Sequence, residues 1–360
     1  MRWVFCYVLS ALSVACGEQR SDVVEVDGVS SQTTAAQTSY CSPVAVRCVP
    51  EEYATIQAAV DAAQAGDTVS IWAHNGSFQY MEHVVISTAA LTVRGRDAST
   101  TVQIWTDDPD RAPITVNANG VTIEYLEIHG TTHWCQLCDY SGILVASGTS
   151  GVTIRYNEIT SSGVGVLAYQ DVSHLKVDSN HFMDNYSGFS GEPGYGGALT
   201  SSDICNNTFS GYHLFYNVNV GDVYIPGEVP FTSNNRIFRN TAINAANPYY
   251  TGQGINFTGV NNEVTDNTID GVRYDGIYAT VCTDGCTVTG NTLKNAHRYG
   301  MFFNFGVEKL STMANRVEDA PTGIRVDGNN SNILCSDFIN VDTYWVDNGS
   351  GNTLTMNCGE

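Results

Sequence analysis

The amino-acid sequence predicts an all-β solenoid, a parallel β-helix in which each coil contributes three short strands. Three observations support this fold class. The 360 residues include 34 glycines, 9 prolines and only 15% charged residues, a composition that suits strands and turns better than helices. A short frame centred on an asparagine recurs along the chain. Apolar and polar residues alternate on both sides of it, which is typical of strands with one buried face.

The repeat is clearest in residues 152–159, where Asn157 separates two alternating stretches. The frame returns at residues 175–182, 262–269 and 287–293, in weaker form around Asn207, Asn240 and Asn315, and with Leu126 in place of asparagine at residues 121–128. A glycine-led apolar stretch follows the frame, as in residues 163–166 and 276–279. Three strands cannot bury a core alone, so each must pair with its counterpart one coil away. The asparagines then share one turn, where inward carboxamides satisfy buried backbone groups.

The first residues are predicted to be a targeting segment. Arg2 precedes an apolar run, residues 3–15, that is too short to span a bilayer and is typical of a signal peptide. Residues 12–16 resemble a bacterial lipoprotein motif with Cys16 as the lipidated residue, although the leucine lies one place further from it than usual. Simple cleavage and a retained anchor are the alternatives. Residues 1–15 are thus predicted to be the signal peptide, 16–40 a flexible tether and 41–360 one β-helix domain, secreted or held at the cell surface through Cys16.

The net charge restricts the possible binding partners, and the cysteine spacing indicates disulfides or a metal site. A net charge of −21 argues against nucleic acid, since phosphate contacts need clustered Lys and Arg. We expect the binding partner to be an extracellular polysaccharide and the protein to be a monomer.

Export favours disulfides between closely spaced cysteines. The spacing singles out Cys41 with Cys48, Cys135 with Cys138, Cys282 with Cys286 and Cys335 with Cys358, and leaves Cys205 over. Zinc held by His129, His133, Cys135 and Cys138 is the alternative.

Residues 53–63 have helical spacing and precede Gly66, Asp67 and an alternating stretch. A helix here would cap the first coil, where strand edges and core would otherwise be exposed. This opening resembles that of pectin-lyase-like proteins, and the resemblance covers about residues 50–345. It implies a right-handed parallel β-helix, a three-sheet solenoid with a short N-terminal capping helix. It also implies a substrate groove along one sheet.

The superfamily commonly contains polysaccharide lyases, hydrolases, epimerases and esterases. Several of their signatures are missing from this sequence. It lacks the combination of paired aspartates with Gly-His-Gly that marks polygalacturonase-type hydrolases, the Arg-x-Pro-x-x-Arg of pectate lyases and the Asp-Pro-His of mannuronan epimerases. The resemblance therefore implies a fold and leaves the reaction open.

The segments before the glycine-led strands must lie side by side, and they are rich in histidine, arginine and tyrosine. Tyrosine rings stack on sugar faces while their hydroxyls form hydrogen bonds. This edge is the predicted glycan site. Its candidate substrate-binding residues are Trp134, Tyr140, Tyr195, Tyr212, Tyr249, Tyr250 and Tyr299.

The reaction favoured by these residue types is β-elimination on a uronic-acid polysaccharide, in which a base removes the C5 proton while a cation neutralises the carboxylate. Asp139 and Asp275 are candidates for binding Ca²⁺ or for the two carboxylates of a hydrolase. Alternatively, the charged residues pair with one another or with charges one coil away, and the protein is a non-catalytic structural or adhesive glycan-binding lipoprotein. The candidate catalytic residues are Arg273 and Arg298 for the carboxylate, His213 and His297 as base, and Tyr274 as acid.

Overall fold

A computed structural model describes residues 44–73, 78–97, 102–106, 108–132, 140–192, 198–211, 213–221, 232–243 and 252–356. Their strands stack in parallel into a right-handed β-solenoid of about 11 turns. The predicted fold class is confirmed. The predicted signal peptide, the tether and Cys16 lie outside the described residues.

Sheet A contains the strands that precede the asparagine turn. Neighbouring strands pair in register, so that Ile154 lies opposite Val177 and Ile123. Its strands are β1 (Val46–Val49), β2 (Thr68–Ile71), β5 (Thr92–Gly95), β8 (Thr122–Glu124), β11 (Thr153–Arg155), β15 (Lys176–Asp178), β19 (Asp203–Cys205), β22 (Arg236–Phe238), β25 (Glu263–Thr265), β28 (Thr287–Thr289), β31 (Ser311–Met313), β33 (Asn332–Leu334) and β35 (Thr353–Thr355).

Sheet B contains the strands that follow the asparagine turn. Its strands are β3 (Gln79–Met81), β6 (Val102–Trp105), β9 (Leu126–His129), β12 (Glu158–Thr160), β16 (His181–Met183), β20 (Thr208–Ser210), β23 (Thr241–Ile243), β26 (Thr268–Val272), β29 (Thr292–Ala296) and the first halves of β32 (Arg316–Val326) and β34 (Asp337–Asp347).

Sheet C contains the glycine-led strands, and β32 and β34 continue into it from sheet B. Its strands are β4 (Val84–Ile86), β7 (Ile114–Val116), β10 (Ser141–Val145), β13 (Val164–Tyr169), β17 (Ser187–Glu192), β21 (Tyr216–Val220), β24 (Gln253–Gly259), β27 (Asp275–Cys282) and β30 (Tyr299–Val307). Two short strands, β14 (Val172–Ser173) and β18 (Leu199–Thr200), pair separately.

The described residues contain one short helix, α1 (Ile56–Ala62), at the start of the solenoid. Thr55 caps it, since its hydroxyl accepts a hydrogen bond from the Ala58 N–H at 3.1 Å. Ile56, Ala59 and Val60 are buried, and the helix packs against β1, β2 and β4. Amphipathic spacing therefore directs one face of α1 onto the first coil, as the sequence predicts. No helix in the described ranges is long and apolar enough to cross a membrane.

Seven asparagines form a ladder along the turn between sheets A and B, and each is at most 4% exposed. At Asn207, the backbone N–H and Nδ2 both donate to Oδ1 of Asn240 at 3.0 Å, and Nδ2 also donates to the Val177 carbonyl at 2.8 Å. Leu126 opens the ladder by donating its N–H to Oδ1 of Asn157. The members are Asn157, Asn180, Asn207, Asn240, Asn267, Asn291 and Asn315.

The ladder ends at Asn315, because Ser336 occupies the equivalent position one coil further on and is too short to continue it. A second, shorter ladder precedes sheet A. There the Ser202 N–H donates to Oδ1 of Asn235, whose own N–H donates to Oδ1 of Asn262. The sequence analysis did not predict this ladder, because only two of its positions are asparagine.

The glycines that lead the sheet C strands make room for core side chains. A Cβ on Gly165 would lie 2.7 Å from Cδ1 of Phe182, and one on Gly188 would lie 2.4 Å from Cε1 of Phe209. Phe182 and Phe209 stack with ring centroids 4.9 Å apart. The glycine-led pattern therefore follows from packing of sheet C directly against the buried sheet B side chains.

One predicted cysteine pair is confirmed as a disulfide, Cys282 with Cys286. Cys48, Cys205 and Cys335 are also disulfide-bonded, so the interpretation of Cys205 as the cysteine left over was wrong. The other cysteines of the predicted pairs, Cys41, Cys135, Cys138 and Cys358, lie outside the described residues.

Replacing Asn207 by alanine should lower the free energy of unfolding by about 1–3 kcal/mol, because the buried amide groups of Asn180 lose their acceptor. Asn332→Ala is the matched control, since Asn332 is an exposed residue of sheet A, and it should change stability by less than about 0.5 kcal/mol. Urea unfolding of both variants measures this. Equal losses would contradict a structural role for the ladder.

Candidate functional site

The structure brings four of the predicted site residues together on the outward side of sheet C. They are Tyr274, Asp275, Arg298 and Tyr299, which belong to two neighbouring coils. Asp275 begins β27 and pairs in register with Tyr299 of β30. Six other predicted residues lie outside the described ranges: Trp134, Asp139, Tyr195, Tyr212, Tyr249 and Tyr250.

The centre of this group is an ion pair between Asp275 and Arg298. Asp275 is fully buried. Its Oδ1 accepts from Nε of Arg298 at 2.8 Å, and its Oδ2 accepts from Nη2 of Arg298 and from Nε2 of Gln253 at 3.1 Å. Burial raises the pKa of the Asp275 carboxyl, and Arg298 opposes this shift. The carboxylate therefore fixes the guanidinium through two parallel bonds.

Aromatic rings surround the Arg298 guanidinium. Its Cζ lies 5.2 Å from the ring centroids of both Tyr274 and Tyr299, and 5.7 Å from that of Phe302. The side chain is nevertheless 41% exposed, and no acceptor for Nη1 occurs in the part of the chain that the structure describes. The hydrogen bond to Asp275 raises the pKa of Arg298. A protonated, oriented guanidinium thus faces solvent between aromatic rings.

Arg325 forms a second charged group one coil further on. Its Nη1 donates to the Tyr299 hydroxyl at 2.7 Å, while Nε and Nη2 donate to Asp327 at 2.9 and 2.7 Å. Hydrogen bonding to Arg325 lowers the pKa of Asp327. Arg325 also lies over the Phe302 ring, 5.0 Å from its centroid.

Sequence reasoning missed Arg325, Phe302 and Tyr278, although they follow a readable pattern. Each occupies the second position after the leading glycine, and the three lie opposite one another in register. The glycine-led stretches were predicted to be strands with one buried face, but no role was assigned to the residues on their outward face. The residue just before each of them, Ile277, Met301 or Ile324, is buried, so alternation counted from that apolar residue marks all three as outward-facing.

The same column continues through earlier coils as a row of buried polar side chains. Ser190, Asn219 and Asn256 lie in register. Asn219 donates to Ser190 at 3.0 Å, Asn256 donates to Asn219 at 2.7 Å, and Thr280 donates to Asn256 at 3.1 Å. We call the whole set the sheet C strip, comprising Ser190, Asn219, Asn256, Tyr278, Phe302 and Arg325 with Tyr274, Asp275, Arg298 and Tyr299.

Two further predicted residues flank the strip. Arg273 and His297 are exposed and directly precede Tyr274 and Arg298. Arg273 lies over the Tyr274 ring with its Cζ 5.3 Å from the centroid, and the backbone N–H of His297 donates to the Val272 carbonyl. Tyr140 is separate, since it packs beside Gly163, six coils before β30.

His213 lies inside the solenoid rather than on its surface. It is fully buried, its ring centroid is 6.0 Å from that of Phe209, and neither ring nitrogen has a hydrogen-bond partner among the described residues. Burial lowers its pKa to about 4, although nearby backbone carbonyls such as that of Phe182 oppose the shift. The assignment of His213 as a surface base does not fit this position, because substrate could not reach the imidazole.

Asp275 is also a poor ligand for the predicted Ca²⁺. Both of its oxygens accept hydrogen bonds from Arg298 or Gln253, and the adjacent guanidinium repels a second cation. In the described ranges, no three His, Cys, Asp or Glu side chains are grouped as a metal site would require. For the zinc alternative, His129 is hydrogen-bonded to Glu127 and stacked on Trp105, while His133, Cys135 and Cys138 lie outside the described residues.

Comparison with solved structures identifies the fold. The chain is similar to an alginate lyase from Paenibacillus sp. str. FPU-7, with 12% identity, 83% of this chain and 97% of that chain covered, and a TM-score of 0.55. It is also similar to the periplasmic alginate epimerase AlgG, with 13% identity, 82% of this chain and 76% of that chain covered, and a TM-score of 0.58. A third similar structure is a mutant DFA-IIIase from Arthrobacter chlorophenolicus A6 in complex with DFA-III, with 12% identity, 86% of each chain covered and a TM-score of 0.57.

The chain therefore has a parallel β-helix fold. No protein-family model matches the sequence, and a search of curated protein sequences finds no match. At these identities the solved structures establish the fold alone, so the activity must be argued from the site.

The buried His213 should make the protein less stable in acid. Its pKa is about 4 in the folded state and about 6.5 when unfolded, so the unfolded state binds the proton first as pH falls. The stability present above pH ~6.5 is then lost progressively down to pH ~4, by up to about 3 kcal/mol. In His213→Leu this contribution should be absent, whereas exposed His297→Leu should retain it. Urea unfolding at several pH values measures the difference, and identical pH profiles for wild type and His213→Leu would contradict the burial.

Proposed function

We propose that the protein acts on a uronic-acid polysaccharide at the sheet C strip, by β-elimination. The observation that supports this most strongly is the geometry of Arg298. The side chain is half-exposed, yet its guanidinium is fixed by buried Asp275 and held between Tyr274 and Tyr299. Such a preorganised cation suits a carboxylate that must be neutralised while the adjacent carbon loses its proton.

Arg298 would bind the sugar carboxylate through Nη1, since Nε and Nη2 are engaged by Asp275. The Asp275–Arg298 pair carries little net charge, so its attraction for a carboxylate is short-range and directional. Arg325 lies in the next coil and hydrogen-bonds to Tyr299, which adds a second guanidinium near the same ring. Asp275 is thus a positioning residue for the cation that contacts substrate.

His297 and Tyr274 flank Arg298 and supply the proton transfers in this proposal. His297 takes the C5 proton, and the electron pair left behind forms the C4–C5 double bond. The C4–O4 bond breaks, and Tyr274 donates its proton to the leaving oxygen. Both side chains are exposed on the edge of the strip. Solvent then returns a proton to Tyr274 and removes one from His297.

The partly exposed rings of the strip would bind neighbouring sugar units. Phe302 and Tyr278 offer such rings, whereas Ser190, Asn219 and Asn256 are buried and support the strip from within. A polymer laid along the solenoid would contact one coil after another. We further propose that the chain is exported, secreted or anchored through Cys16, and acts outside the cell as a monomer.

A non-catalytic glycan-binding role is the second candidate, and one observation favours it. Arg298 and Arg325 are both already paired bidentately with aspartates, to Asp275 and Asp327. If those pairs persist when glycan binds, the strip would hold a polysaccharide through its aromatic rings without acid–base chemistry. The protein would then be a structural or adhesive surface protein.

A substrate panel separates these functions. Purified protein is incubated with alginate, pectate, glycosaminoglycans and neutral glycans, and the ultraviolet absorbance of unsaturated products is followed together with reducing ends. Affinity electrophoresis on the same glycans measures binding. An unsaturated product supports β-elimination, and binding without product supports the second candidate. If no glycan gave a product and none bound, both candidate functions would be refuted.

Arg298→Ala should reduce kcat/KM by at least about 100-fold, because the guanidinium stabilises charge that develops in the transition state. The matched control is Arg236→Ala, since Arg236 forms the same bidentate pair with Asp203, at 2.8 and 2.7 Å, but on sheet A. Progress curves at subsaturating substrate, with unfolding midpoints of both variants, provide the measurement. Equal kcat/KM losses would mean that Arg298 acts only through stability.

A further inference from the structure

A second groove lies on the turn between sheets A and B, away from the sheet C strip. It has a volume of about 360 Å³, at the lower end of the range for small-ligand sites. Its lining includes Tyr125, Tyr156, Ser179, Asn206, Glu158 and His181. None of these residues takes part in the function proposed above.

The groove follows from the side chains that precede the asparagine ladder. These residues adopt left-handed backbone conformations, with φ of 58° at Tyr125, 56° at Tyr156 and 56° at Ser179. Tyr125 and Tyr156 stack with an interplanar angle of 12° and centroids 5.3 Å apart. The next coil supplies only Ser179, so the aromatic column stops and leaves a notch beside Tyr156, which is 44% exposed.

The Cζ of Arg155 lies 5.7 Å from the Tyr156 ring centroid. The guanidinium reaches back to the preceding coil, away from Ser179, where its Nε donates to Glu124 at 2.7 Å. Glu124 also pairs with Arg94, which lies over the Tyr125 ring. Both guanidinium groups are thereby held by Glu124, on the coil of Tyr125. Among the described residues, the only ring stacked on Tyr156 is that of Tyr125.

Polar groups line the side of the notch at the height of the open ring. Glu158 and His181 lie one coil apart in register, with 3.9 Å between their nearest oxygen and nitrogen atoms. Asn206 lies two coils from Tyr156, and its Nδ2 donates to Asp178 at 2.9 Å. Neighbouring coils are about 4.8 Å apart, so Asn206 lies about 10 Å along the axis from Tyr156. A sugar ring about 4 Å thick therefore fits between the Tyr156 ring and the Asn206 side chain.

We propose that this notch binds one uncharged pyranose unit, stacked on Tyr156 above Ser179, with its hydroxyls hydrogen-bonded to Glu158, His181 and Asn206. An aromatic face next to side chains that accept and donate hydrogen bonds is the arrangement a pyranose requires. The ligand is uncharged, because the carboxylates of Glu158 and Asp97 in the lining would repel a uronic acid. This site is independent of the proposed function, and no bond is made or broken there.

Two variants test the proposal from opposite directions. Tyr156→Ala removes the ring, and Ser179→Tyr fills the notch with a residue that the same turn position already accommodates at Tyr125 and Tyr156. Tyr169→Ala is the control, because Tyr169 is equally exposed at 43% but lies on sheet C. Urea unfolding midpoints establish that each variant is folded.

Binding is measured by isothermal titration calorimetry and saturation-transfer NMR with cellohexaose, maltohexaose and mannohexaose and their monosaccharides. We expect at least one of these probes to bind, with affinity lowered at least about tenfold in Tyr156→Ala and Ser179→Tyr and unchanged in Tyr169→Ala and Arg298→Ala. Tighter binding of a hexaose than of its monosaccharide identifies a polymer as the source, and equal binding a single sugar. No binding of any probe to wild type, or unchanged binding in both notch variants, would overturn the proposal.

Discussion

The structure depends on one repeated interaction, the hydrogen bonding of a buried carboxamide to the equivalent residue of the next coil. Each ladder asparagine satisfies its neighbour's backbone N–H and amide as well as a core carbonyl. A buried amide without such partners costs about 1–3 kcal/mol, so a coil that shifted by one residue would be penalised at this turn. The ladder thereby fixes the register of every coil that contains it.

A fixed register turns differences between coils into surface features. Outward positions form columns parallel to the solenoid axis, and the identity of each column member depends on its coil alone. In sheet C this places Asp275 beside Arg298 from the following coil, and Arg325 beside Tyr299. At the asparagine turn, the same rule places Ser179 after two stacked tyrosines and creates the notch. Both candidate sites are therefore local departures from the repeat.

The sequence predicted the ladder, the capping helix and the grouping of Tyr274, Asp275, Arg298 and Tyr299, because these depend on short-range spacing. In the coils of β27 and β30 the chain between successive sheet C strands is short, so the residues just before the leading glycines lie side by side. His213 was placed wrongly on the surface, because the spacing of residues does not reveal whether a turn residue points inward. The Tyr125–Tyr156 stack was missed, since it depends on a left-handed backbone position that the apolar pattern does not mark.

Similar solenoids include an alginate lyase and an alginate epimerase, so the fold leaves the reaction to the side chains on its surface. The central claim is that Arg298, fixed by Asp275, binds a sugar carboxylate on the sheet C strip. A crystal structure of the protein with a uronic-acid oligosaccharide tests it most directly. The account predicts a carboxylate within hydrogen-bond distance of Nη1 of Arg298, with sugar rings against Tyr274 or Tyr299. An oligosaccharide bound elsewhere, with Arg298 in contact only with Asp275, would contradict it.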